Sequence, residues 1–239
     1  MADNTPRRPV LGILGGLGPA ASCYLYQMII DHTPAARDQD HIDLVISSRA
    51  STPDRTAFIL GQSDEDPFTV MEQDGRSLVA YGATVLAIPC NTAHHFYDRL
   101  AAALPVPVLN MPALTVEEAR AAGCRKLGIL ATDGTLQAQT YQIMCQRAGL
   151  DWAVPSPPAQ AAVMSIIYDQ IKQGRRVDRA RWDAAVADLA AQGCDRAVLG
   201  CTELSLVKRD EHLGDFFLDS TEVLCRHALR ACGVEPVGF

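Results

Sequence analysis

Two cysteines in matched surroundings carry the most chemistry in this chain. Gly82-Ala-Thr-Val-Leu-Ala-Ile-Pro leads into Cys90-Asn91-Thr92, and Gly193-Cys-Asp-Arg-Ala-Val-Leu-Gly leads into Cys201-Thr202-Glu203. Each is an apolar, strand-like run that ends in a thiol followed by hydrogen-bonding side chains. The runs that open each half match as well, Leu11-Gly-Ile-Leu-Gly-Gly and Leu127-Gly-Ile-Leu-Ala-Thr. Two halves that each deliver one thiol from the end of a buried strand suggest one cysteine on either face of a shared substrate. A thiolate on one face removes a proton from a carbon, and a thiol on the other face returns one. Cys23, Cys124, Cys145, Cys194, Cys225 and Cys232 read instead as small packing residues.

The neighbouring motifs each have an ordinary reading beside a chemical one. A helix that starts just after Cys90 or Cys201 favours the thiolate and lowers its pKa from ~8.5. Glu203 would orient Cys201 or help to deprotonate it, or simply complement the start of a helix. Arg55, in Ser51-Thr-Pro-Asp-Arg-Thr56, is a solvated loop arginine unless a carboxylate needs its paired N–H groups. Lys172 is by default a helix-end lysine that complements the dipole. Both gain meaning if a pocket must hold a second carboxylate. Cys90, His94, His95 and Cys201 could bind zinc, but no closely spaced second ligand pair accompanies them. No metal site is therefore expected, and the two histidines are assigned to a helix surface or pocket rim. Gly16-Leu-Gly18-Pro-Ala-Ala21 fits a dinucleotide-binding glycine loop, with Arg49 placed to read a 2′-phosphate. It fits equally a tight strand–helix turn beside a small anion site.

The elements that must position these residues alternate. Strands are expected at 10–14, 42–47, 84–88, 106–109, 126–131, 152–154, 196–199 and 216–218. Helices are expected at 20–30, 68–81, 92–103, 116–122, 136–148, 161–173, 179–191 and 221–231, with a proline turn at 155–158. Continuous apolar strands alternating with helices imply an α/β fold of two similar domains, each a parallel sheet flanked by helices. The division places 1–105 plus 210–239 in the first domain and 106–209 in the second, with the C-terminal helix returning to the first. Ligands in such sheets lie beyond the carboxyl ends of the strands, where both repeated cysteines fall.

Composition narrows the class. The chain is 48% hydrophobic and 21% charged, as in ordinary globular proteins. Its net charge of −7 argues against nucleic acid or an anionic membrane as partner. No run approaches the ~20 apolar residues of a membrane span. Arg7-Arg8 before an apolar stretch superficially resembles an export signal, but glycines interrupt that stretch and a first strand explains it better. Eight cysteines without a CxxC pair read as reduced thiols in a cytoplasmic protein.

Gly12-Ile-Leu-Gly-Gly-Leu-Gly-Pro, Pro89-Cys-Asn-Thr-Ala-His, Leu130-Ala-Thr-Asp-Gly-Thr and Gly200-Cys-Thr-Glu resemble the motifs of the aspartate/glutamate racemase superfamily along almost the whole chain. The resemblance implies two α/β domains related by pseudo-twofold symmetry, a cleft between them, and racemisation by two cysteines without a cofactor. Pro53-Asp-Arg-Thr-Ala57 and Ile167-Tyr-Asp-Gln-Ile-Lys172 resemble the aspartate racemase branch. There Arg55 and Lys172 would grip the side-chain carboxylate. Glutamate racemases carry an acidic residue in the first turn and a His after the second Cys-Thr, whereas this chain has Gly15-Gly-Leu-Gly18 and Glu203. A homodimer also follows from the resemblance. Cys90 and Cys201 would then exchange the roles of base and acid for the two enantiomers. Asn91, Thr92, Thr132, Thr135 and Thr202 would hold the α-carboxylate and α-amino group, with Glu203 in the same substrate-binding set. The alternatives are a broad-specificity racemase, another isomerase or decarboxylase of the superfamily, and a non-catalytic amino-acid binding protein.

Overall fold

The computed structural model describes residues 8–239. Arg7 of the Arg7-Arg8 pair, and residues 1–7 of the first expected domain, lie outside the described residues. Strands β1 (Val10–Gly15), β2 (Asp43–Ser48) and β3 (Val85–Ala87) form one parallel sheet in the order β2-β1-β3. Strands β4 (Lys126–Ala131), β5 (Asp151–Ala153), β6 (Arg196–Gly200) and β7 (Phe217–Asp219) form a second, in the order β5-β4-β6-β7. The opening strand of each half is thus central, flanked by the next two strands of that half. β1 and β4 are buried along nearly their whole length because helices cover both faces.

The helices of the first half are α1 (Pro19–Asp31), α2 (Arg55–Ile59), α3 (Pro67–Ala80) and α4 (Tyr97–Ala103). Those that follow are α5 (Met111–Ala121), α6 (Asp133–Gln137), α7 (Thr140–Ala148), α8 (Pro157–Ser165), α9 (Arg179–Ala191), α10 (Thr202–Glu211) and α11 (Ser220–Ala231). Helix α11 lays Leu224, Cys225, Ala228 and Leu229 against Leu11, Ile13, Leu25 and Ile29 of the first half. β7 falls within 210–239 yet hydrogen-bonds β6 of the second sheet, and α11 then packs on the first half.

Several elements differ from the sequence reading. The expected strand at 106–109 is reduced to a single bridge between Leu86 and Val108, because Pro105 and Pro107 offer no N–H donors. The expected helix at 136–148 is broken into α6 and α7 by Gln139 in a left-handed conformation (φ 54°). After Cys90 the chain makes a 3-10 turn, Thr92–Phe96, before α4 begins. Pro157 and Pro158 open α8 instead of a turn, and α8 continues through a π turn, Ile166–Gln170, into a 3-10 turn, Ile171–Gln173. The helix expected at 116 starts at Met111, where the Asn110 side chain accepts from the Ala113 N–H at 3.1 Å. Helix α2, capped by Asp54, has no counterpart in the sequence reading.

The turn after β1 is shaped by one glycine. Gly16 has φ +82°, and a Cβ built on it falls 2.4 Å from the backbone N of Arg49. Arg49 is itself fixed by an ion pair to the buried Asp74 (Nη2–Oδ1 2.7 Å), so it does not stand free to read a phosphate. Gly16→Ala is expected to destabilise the protein by roughly 1–3 kcal/mol. Urea unfolding would read this as a lower midpoint at unchanged m-value.

Candidate active site

Each half carries a thiol just beyond the carboxyl end of a parallel strand, Cys90 after β3 and Cys201 after β6, and both thiols reach one cavity. Its walls include Cys90, Asn91 and Thr92 after β3, Thr132 after β4, and Cys201, Thr202 and Glu203 after β6. The remaining wall comes from Leu17 in the β1–α1 turn, from Asp54, Arg55 and Thr56 at α2, and from Tyr168 and Lys172 after α8. All the sequence-selected residues line it except Thr135, which lies directly behind Thr92 and Thr132. Larger surface grooves exist elsewhere, but none of them touches either thiol of the pair.

Cys201 is the N-cap residue of α10, which by the dipole argument favours its thiolate. The structure reverses that expectation. Burial, and then the Glu203 carboxylate, push the Cys201 thiol well above its ordinary pKa, against the opposing pull of Lys172. The thiol donates to Glu203 Oε2 at 2.9 Å. Glu203 Oε1 in turn meets the Lys172 ammonium at 2.8 Å. Burial would raise the Glu203 pKa, but the Lys172 charge and the Cys201 hydrogen bond outweigh it and hold the carboxyl below its usual value. Lys172 is shifted upward: burial alone would lower it, and Glu203 more than compensates. In this arrangement the proton sits on sulfur and the negative charge on Glu203.

Cys90 is positioned differently. Its carbonyl accepts from His94 Nδ1 at 2.9 Å, while His94 Nε2 accepts the Met111 N–H at 3.2 Å. That pair of bonds fixes the tautomer with the proton on Nδ1. His94 is buried rather than on a helix surface, and burial pushes its pKa below 6.5 so that the ring stays neutral. It pins the Cys90 loop to the start of α5. His95 is exposed. Among the described residues no group of His, Cys, Asp and Glu is arranged to hold a metal ion.

The hydroxyls form two braces. Thr92, Thr132 and Thr135 make a closed triangle of Oγ1 atoms with sides of 3.1, 2.9 and 3.0 Å. The Asn91 side chain accepts from Tyr141 OH at 2.5 Å and donates to Ser220 Oγ at 3.0 Å, and Ser220 donates to the Leu199 carbonyl at 2.8 Å. Asn91 is thus engaged on both ends of its amide. Arg55 donates to the carbonyls of Thr52, Pro53 and Leu17 at 3.2, 2.9 and 3.0 Å, leaving its buried Nε without a partner. Neutral carbonyls hold the guanidinium in place without cancelling its charge.

Tyr168 is not singled out by the sequence reading. It stands four residues before Lys172, whose ammonium lies 5.4 Å from the centre of its ring. That spacing is the available signal. Burial pushes its phenol up to about 12, with a hydrogen bond from Thr56 opposing, so it presents a neutral hydroxyl at the cavity wall. Gly18 also belongs to the site, since a Cβ there would fall 2.8 Å from Glu203 Oε1. A carboxylate so close to the glycine turn is incompatible with a pyrophosphate at that turn.

The family model described as Asp/Glu/Hydantoin racemase matches residues 14–228. The chain belongs to this family. It is 29% identical over 205 residues to the broad specificity amino-acid racemase RacX of Bacillus subtilis, covering 83% of this chain and 87% of that one. It is 31% identical over 142 residues to a glutamate racemase of Pseudomonas paraeruginosa, which spans 57% of this chain and 52% of that protein. The fold matches that of Picrophilus torridus aspartate racemase with a TM-score of 0.82 at 22% identity, over 96% of both chains. An aspartate racemase homologue from Pyrococcus horikoshii matches with a TM-score of 0.75 at 22% identity, over 95% of this chain and 100% of the other. Among the described residues no helix is long and apolar enough to cross a membrane.

Glu203→Gln removes the negative charge that holds the Cys201 proton in place and leaves Lys172 nearby. The thiol is therefore expected to ionise at lower pH in this variant. Ultraviolet titration of the thiolate, with Cys201→Ser subtracted, would check the direction. An unmoved or raised midpoint would contradict the assigned hydrogen bond.

Proposed function

We propose that the protein interconverts L- and D-aspartate by a two-base mechanism in which Cys90 and Cys201 act from opposite faces of Cα, without a cofactor. The observation that carries this reading is a single buried cavity lined by both thiols together with two cationic side chains, Arg55 and Lys172. The family membership supports racemase chemistry, and the fold shared with an aspartate racemase supports the substrate.

A Cα–H is far less acidic than a thiol, so removing it demands that the developing charge on the carboxylate be stabilised. Thr92 and Thr132 present hydroxyls at the cavity wall, held in place by the triangle that Thr135 completes and able to turn a hydrogen to the substrate, and Thr202 presents a third. Arg55 supplies positive charge held by three carbonyls, and Lys172 positive charge held by one ion pair. Cys201 carries its proton in this arrangement and is placed to act as the acid, which assigns the part of base in that direction to Cys90. The opposite enantiomer requires the reverse, in which Glu203 helps to take the proton from Cys201. The protein is read as a cytoplasmic homodimer.

A second reading is supported by the similarity to the broad specificity amino-acid racemase, and differs only in how strictly the two cations select a second carboxylate. Purified, reduced protein incubated with L-aspartate in D₂O should yield D-aspartate bearing deuterium at Cα. The same assay with L-glutamate and L-alanine measures breadth. Cys90→Ser and Cys201→Ser should each lower kcat by about 100-fold or more. Near-normal racemisation by either variant would remove the two-base mechanism.

A further inference from the structure

The Lys172–Glu203–Cys201 chain does more than position a thiol. Glu203 is 6% exposed and its two oxygens are divided between the ammonium and the thiol. Of the two cations, Arg55 is tied to three carbonyls, while the Lys172 side chain is 29% exposed. It is carried on a π turn and a 3-10 turn, a helical irregularity often found at functional sites. Of these two cations, Lys172 is the one held by a single ion pair and partly exposed.

We propose that the second carboxylate of the substrate switches Cys201 on by drawing Lys172 away from Glu203. This rests on the aspartate reading above. Before substrate binds, Lys172 touches Glu203 and not the sulfur, so it stabilises a charge on Glu203 more than one on Cys201. When the ammonium turns to the ligand's carboxylate, Glu203 loses more than Cys201 does. The S–H bond then breaks, an O–H bond forms on Glu203 Oε2, and the negative charge moves from carboxylate to sulfur. No electrons are exchanged with any other group. An amino acid with one carboxylate, held by that group at the threonine hydroxyls, offers Lys172 no competing anion. Selection for a dicarboxylic substrate is thereby expressed in the ionisation of Cys201 as well as in binding. Lys172 and Glu203 act here through Cys201 as positioning residues.

The test uses Cys90→Ser, which removes turnover and leaves Cys201 as the one thiol of the pair. Thiolate absorbance is followed at fixed pH while L-aspartate or L-alanine is added to saturation. The gate predicts that L-aspartate raises the thiolate signal and L-alanine does not. The rise should vanish in Cys90→Ser/Cys201→Ser. In Cys90→Ser/Glu203→Gln the sign should reverse, because aspartate then only withdraws a cation from the thiolate. Simple electrostatics, with no proton passed to Glu203, predicts a fall with aspartate in both proteins and would overturn the gate. An equal rise with alanine would overturn it too. Wild-type racemisation of aspartate is measured alongside. If it is present and the thiolate response is absent, the gate alone fails; if the wild-type protein does not racemise aspartate, the functional reading fails and takes the gate with it.

Discussion

Buried hydroxyls between the two halves are the constraint on which the site depends. Thr92 from the first half meets Thr132 and Thr135 from the second, and Asn91 from the first is clasped by Tyr141 and Ser220. An unpaired buried hydroxyl or amide is penalised by roughly 1–3 kcal/mol, so these groups accept only the docking in which all are satisfied. The second brace is also a nearly continuous link between the thiols. It runs from Cys90 through Asn91 to Ser220, and from Ser220 to the Leu199 carbonyl two residues before Cys201. Two cysteines on separate sheets are placed relative to each other by hydrogen bonds, not by the sheets alone.

On this near-symmetric frame the chemistry is asymmetric. Both thiols follow a parallel strand, yet the backbone treats them differently. Cys201 caps an α-helix and shares its proton with a carboxylate. Cys90 enters a 3-10 turn and has its carbonyl held by a neutral, buried histidine. Dipole and burial act on Cys201 in opposite directions. A helix terminus contributes a fraction of a charge, typically about 0.3–1 kcal/mol, whereas a full carboxylate at hydrogen-bond distance in a dry site acts more strongly. Burial, and then the carboxylate, outweigh the dipole, and the proton stays on sulfur in this arrangement.

Much of this is legible in the sequence, for definite reasons. The central strands announce themselves because burial on both faces leaves unbroken apolar runs, as in Leu11–Leu14 and Leu127–Ala131. The thiols are legible because each closes such a run. What escapes a local reading is tertiary contact. Nothing local says that His94 will be drawn under the Cys90 carbonyl, or that Arg55 will spend its donors on the Leu17 carbonyl far away in sequence. Nor does local pattern show that Gln139 leaves the helix, since nothing in its residue type calls for the left-handed backbone it adopts between α6 and α7. The direction of the Cys201 shift is hidden for a related reason. A glutamate two positions on in the chain can be a helix-start carboxylate or the thiol's own partner, and geometry decides between them.

The glycines of the two opening turns acquire their meaning from the same docking. Gly18, after β1, faces Glu203 of the second half, and Gly134, after β4, faces Thr56 of the first. A Cβ at Gly18 would stand 2.8 Å from Glu203 Oε1, and one at Gly134 would stand 2.8 Å from Thr56 Cα and Oγ1. The relation is reciprocal: each half presses the bare backbone of its turn against a wall of the cavity that the other half builds. Glycine-rich turns of this kind ordinarily suggest a phosphate that needs backbone N–H groups, and here the space is already filled by protein. The approach is tightest at Gly134, where an added methyl would meet the Thr56 backbone itself. A side chain at Gly134 would push Thr56 away from the second half, whereas one at Gly18 would displace only the tip of the Glu203 side chain. Closeness of this order is what brings two thiols carried by different sheets to the wall of one cavity.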